Sequence, residues 1–65
     1  MVVKLKKYIN GESIMLNLGA IKFVESGANE TERWTEIHFG TGYPIRVRES
    51  LDEIFDMIET HKVIQ

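Results

Sequence analysis

The side chains able to do chemistry are few: two histidines, ten carboxylates, three serines and no cysteine in 65 residues. His38 follows Glu36 by two positions, and a carboxylate beside an imidazole can do acid–base work. On a strand that spacing only puts both groups on one face. No nucleophile, base and orienter can be assembled around them, so they read as a satisfied surface pair. His61 falls at the end of a helical pattern, where it offsets the dipole. Asp52, Glu53, Asp56 and Glu59 run along two helical turns without the fixed loop spacing of a calcium site, which reads as a solvated acidic face. Gly40-Thr41-Gly42 is a turn and does not open a helix as a phosphate-cradling loop must. Ser13, Ser26 and Ser50 are accounted for by a strand, a loop and a helix cap. Two histidines are too few for an all-imidazole metal cage, and without cysteine there is no thiolate site and no disulfide. The expectation is a non-enzymatic protein with no catalytic residue, no metal and no cofactor.

Two sets of residues suit binding instead. Trp34, Met15, Val24 and Tyr8 are expected on the sheet face away from the helix, where exposed aromatic and apolar groups mark a protein interface. Lys4, Lys6, Lys22, Arg46 and Arg48 form a possible basic stripe beside Trp34 and Tyr8, able to hold phosphates and stack bases. Glu25, Glu36 and Glu49 in the same strands oppose it, and lysines on edge strands also deter aggregation. Charge sharpens the contrast. Residues 1–33 carry five bases and four acids, residues 34–65 three bases and six acids, for a net charge of −2. Such a balance offers no general attraction to a phosphate backbone.

The elements that must position these groups follow from periodicity. Val3, Leu5 and Ile9 alternate with Lys4, Lys6 and Tyr8 in a first strand over about 2–9. Asn10-Gly11 predicts a hairpin turn with both residues at positive φ, leading to a second strand over 12–18 with Ile14, Leu16 and Leu18 inward. A bend at Asn17-Leu18-Gly19 precedes a third strand over 20–26, with Ile21 and Phe23 inward and Lys22 and Val24 outward. Residues 26–31 read as an exposed loop. A fourth strand over 33–39 sets Thr35, Ile37 and Phe39 inward and Trp34, Glu36 and His38 outward. The fifth, over 43–48, has Tyr43, Ile45 and Val47 inward, with Pro44 at its start. At Ser50 the period changes. Ser50-Leu51-Asp52-Glu53 is a capping box, and Leu51, Ile54, Phe55 and Ile58 form the apolar stripe of a helix over about 51–62. The expected fold is a single α+β domain: a five-stranded, mostly antiparallel, bent meander with one C-terminal helix on one face.

Length limits what such a domain can do alone. A chain of this size buries only about 60% of its unfolded surface, and small scaffolds need a supporting device. Without disulfides or a thiolate metal site, association with another chain is the expected support, so a homo-oligomer is expected. Lys4, Lys6 and Lys7 interrupt any apolar leader, and no apolar run approaches the roughly 20 residues that span a bilayer. The protein is therefore expected to be cytoplasmic, with no membrane span.

Leu5 leading to Asn10-Gly11-Glu12, then Leu16-Asn17, Ile21 and Val24-Glu25, resembles the start of the small flagellar FlbD-like proteins. Ile37-His38-Phe39-Gly40 and Val47-Arg48-Glu49-Ser50 through Ile54 echo the later part of that family, whose proline-containing turn is replaced here by residues 26–33. The resemblance implies a small accessory or regulatory protein acting through protein contacts, with no catalytic residues to carry over. Ile21-Lys22-Phe23-Val24-Glu25, Ile37, Tyr43 and Arg48-Glu49-Ser50-Leu51-Asp52-Glu53 also resemble the first half of LytTR-type DNA-binding domains. Those domains continue with a DNA-reaching segment that is absent from this sequence. A phage-encoded nucleic-acid-binding module is the related alternative.

Overall fold

The computed structural model describes residues 2–63, and side chains through residue 60. Its elements are β1 (Val2–Lys6), β2 (Ser13–Asn17), β3 (Phe23–Ala28), β4 (Arg33–His38), β5 (Ile45–Val47) and α1 (Leu51–Val63), with a short 3-10 turn at Leu18–Ala20. This is a small α+β fold with antiparallel strands. The strands make two sheets, β1-β2 and β3-β4-β5, where one five-stranded meander was expected. The sheets touch where β1 ends. Tyr8 N donates to Arg46 O at 2.9 Å and Arg48 N to Lys6 O at 2.9 Å, around a Lys7–Val47 bridge. The last strand thus lies beside the first, and the outer edges of β2 and β3 are left without a strand partner among the described residues.

That junction explains the shortened first strand. Tyr8 turns to β5, so residues 8–11 become the hairpin loop, closed by Lys7 N to Glu12 O at 2.8 Å. Gly11 alone is left-handed, at φ 74°, while the Asn10 side chain accepts from Glu12 N at 2.9 Å. The expected two-residue turn is therefore a four-residue one, and Ile9, expected inward, is 86% exposed on its tip.

The third strand is shifted against expectation. The 3-10 turn and the unpaired residues 21–22 break the alternation begun at Ile21, and pairing starts only at Phe23, opposite His38. A one-residue offset exchanges every side chain between faces. Val24, opposite Ile37, therefore packs against the core, and Phe23 lies outside on the His38 ring. The strand also runs on through Gly27 and Ala28, into what composition suggests is loop. The true loop is short because Asn29 Oδ1 accepts from Thr31 N and Glu32 N at 2.9 and 2.8 Å. Tyr43, expected inward, is 94% exposed, because β5 begins only after Pro44.

The core centres on Val3, Leu5, Ile37, Val47 and Ile54, all buried. Ile14, Leu16, Leu18, Ile21, Val24, Phe39, Ile45, Met57 and Ile58 pack around them. The capping box of α1 forms as expected: Glu53 N donates to Ser50 Oγ at 3.1 Å and Ser50 N to Glu53 Oε1 at 3.2 Å. The helix is rotated from its expected stripe, however. Ile54, Met57 and Ile58 face the core, while Leu51 and Phe55 are exposed. The dipole role expected of His61 and the course of the chain at Ile64 and Gln65 lie outside the described side chains and residues.

Candidate functional site

Two features of the surface exceed ordinary packing. The first is the outer face of β3-β4-β5, where cross-strand register builds a polar and aromatic cluster. Glu36 stands directly opposite Glu25 on one side and Arg46 on the other. Trp34 Nε1 donates to Glu36 Oε2 at 2.9 Å, and Arg46 Nε approaches the same oxygen at 3.3 Å. The Arg46 guanidinium lies 4.2 Å over the indole, a cation–π contact. Trp34 meets the Tyr8 ring at 5.7 Å between centroids and lies across Gly27, which sits opposite it in the register. His38 Nε2 is 3.5 Å from Glu36 Oε1 and 3.9 Å from Glu25 Oε2. Phe23 stacks on the imidazole at 4.2 Å and 10°.

The electrostatics follow from these contacts. The Trp34 hydrogen bond holds the Glu36 carboxyl below its ordinary value of 4.5, with Arg46 and His38 helping and burial opposing. Burial of the ring and a hydrogen bond to Glu32 raise the Tyr8 phenol above 10.0. Because the folded Glu36 binds its proton less readily than the unfolded one, its contribution to stability is complete above about pH 4.5 and is lost as pH falls through the lower folded value. In chelator-treated buffer, the urea midpoints of wild type and Glu36→Gln are expected to converge as pH falls from about 6 to about 3. A gap that stays constant over that range would contradict the stated cause.

The second feature is an open apolar groove of about 430 Å³ between α1 and residues 18–24. Its walls include Ile21, Phe23, Leu51, Phe55 and Ile58, with Lys22 at the rim. Phe55 is 58%, Phe23 47% and Leu51 40% exposed. Sequence reasoning missed this groove because both Phe23 and Phe55 fall on apolar stripes that periodicity assigns to the core.

The residues expected at an interface are divided. Tyr8 and Trp34 meet as expected, but Trp34 is half-buried under contacts from its own chain. Met15 is exposed on the other sheet, opposite Lys4, and Val24 faces the core, which corrects its outward placement. The basic residues are spread as well. Lys4 and Lys6 are exposed on β1, and the Lys6 backbone N–H donates to the Glu49 carboxylate. Lys22 stands at the groove. Arg46 is held by Glu36, and Arg48 turns back to donate to Tyr8 O at 3.2 Å. Among the described residues, no helix is long and apolar enough to cross a membrane.

No family model, curated protein or solved structure matches this chain. The likenesses to FlbD-like proteins and to LytTR-type domains therefore stand on the quoted residues alone.

Proposed function

We propose that this is a non-enzymatic binding module of accessory or regulatory type, acting through protein contacts and self-associating through the groove beside α1. The observation that carries the reading is the exposure of Phe55, Phe23 and Leu51 around one apolar cleft. Small soluble domains seldom leave such groups together on a free surface. The occupant is a second copy of this chain. The groove pairs Lys22 at its rim with an α1 that carries Asp52, Glu53, Asp56 and Glu59. In the proposed two-fold pair, Asp52 or Asp56 of one copy meets Lys22 of the other, the kind of self-complementarity an isologous interface requires. The thin core favours the same reading, since burial of these rings adds to the stability of a domain this small.

Light scattering on three proteins tests the location. Wild type is expected to gain mass with concentration. Phe55→Lys, at an exposed site with Glu59 one turn away, is expected to fold and remain monomeric. Met15→Gln, on the other sheet, is expected to associate like wild type. Association lost in Met15→Gln but kept in Phe55→Lys would move the interface off the groove.

A further inference from the structure

We propose that Glu25, Glu36 and His38 form a binding site for one divalent first-row transition-metal ion of the zinc class. The register brings two carboxylates to one imidazole, with Arg46 already countering part of their charge. Glu25 and Glu36 are directly opposite on neighbouring antiparallel strands, an arrangement that destabilises a sheet when both are charged. His38 Nε2 points between them, is shut off from solvent and has no hydrogen-bond partner among the described residues. Three potential donor atoms, all within 4.8 Å of one another, thus converge.

The geometry fits a small ion. A tetrahedral zinc with bonds of about 2.1 Å separates its ligand atoms by about 3.4 Å. Nε2 and Glu36 Oε1 stand at 3.5 Å. Nε2 and Glu25 Oε2 are at 3.9 Å, and the Glu25 side chain, 54% exposed, has room for the small torsional adjustment that closes the difference. Outer contacts already fix the other two ligands, as in built metal sites. Glu36 gives only Oε2 to Trp34 and Arg46, leaving Oε1 free towards His38. Phe23 lies flat on the imidazole and sets the plane of the ring. An imidazole among the ligands selects zinc-like ions over magnesium or calcium, which take oxygen alone. The Arg46 charge opposes the ion, but two carboxylates outweigh it. Three protein ligands leave at least one coordination position for water or for a donor from another molecule.

The test titrates the full chain, carrying His61→Gln so that His38 is its single imidazole, with zinc chloride against a chromophoric chelator. The nitrogen resonances of His38 are followed by NMR. Expected are one equivalent of zinc, a shift of the Nε2 resonance on addition, and at least about tenfold weaker binding in Glu25→Gln. Glu25→Gln is expected to melt no lower than its parent in chelator, because it removes one of two opposed carboxylates, so weaker binding there is not unfolding. An Nε2 resonance that zinc leaves unmoved, or zinc affinity unchanged in Glu25→Gln, would overturn the assignment. Phe23 borders both the groove and His38, so the titration is repeated in the groove variant Phe55→Lys, which is expected to bind zinc as its parent does.

Discussion

Ile37→Ala is expected to remove most or all of the domain's stability. Ile37 is 0% exposed at the centre of β4, with Val24 and Ile45 as its cross-strand neighbours and Leu5, Val47 and Ile54 in the same cluster. Truncating a buried isoleucine to alanine costs about 2–5 kcal/mol, through lost transfer energy and the cavity left behind. A single small core rarely supplies more than about 3–5 kcal/mol in total. Urea denaturation followed by fluorescence of Trp34, the one tryptophan in the chain, is expected to show a greatly weakened or missing transition. Ile37→Val, which keeps most of the volume, is expected to lose only about 0.5–1.5 kcal/mol. A loss below about 1 kcal/mol in Ile37→Ala would place the core elsewhere.

Gly27→Ala is expected to destabilise the protein, although glycine to alanine within a strand ordinarily gains about 0.5–1 kcal/mol. The sign is reversed by the indole lying on the glycine. An added Cβ would fall on Trp34 Nε1, 2.8 Å from Cε2 and 3.0 Å from Cδ1. The ring must swing away, which breaks its hydrogen bond to Glu36, its contact with Arg46 and its edge on Tyr8. Overpacking of this kind costs about 1–3 kcal/mol. A lower melting temperature is expected together with a red-shifted Trp34 emission as the indole enters water. A stabilised variant with unchanged emission would contradict the packing described for this face.

The readable parts of the fold were those whose signals are local. The capping box at Ser50–Glu53 involves four consecutive residues and formed as expected. The alternation of β4, with Thr35 and Ile37 inward and Trp34, Glu36 and His38 outward, lies within one strand and holds in the structure. What was not readable depends on pairing between strands. The offset of β3 arises from residues 21–22 standing outside the sheet, a consequence of the 3-10 turn that no alternation rule reveals. With β3 mis-registered, Glu25 could not be placed opposite Glu36, and the group around His38 stayed hidden behind the Glu36–His38 pair alone. The groove was hidden for a related reason. Periodicity assigned Leu51 and Phe55 to the buried stripe, but α1 is rotated about its axis towards Met57, leaving both on the surface. Trp34, singled out as an exposed interface group, instead finds Gly27, Tyr8 and Arg46 within its own chain.

In the proposed assembly the exposed groove of one copy is covered by another. Sedimentation velocity of the wild-type chain, from low micromolar to high micromolar concentration, tests it most directly. A concentration-dependent rise from the 7.5 kDa monomer towards twice that mass is expected. The rise should vanish in Phe55→Lys. A wild-type protein that sediments as a folded monomer at every concentration would contradict it.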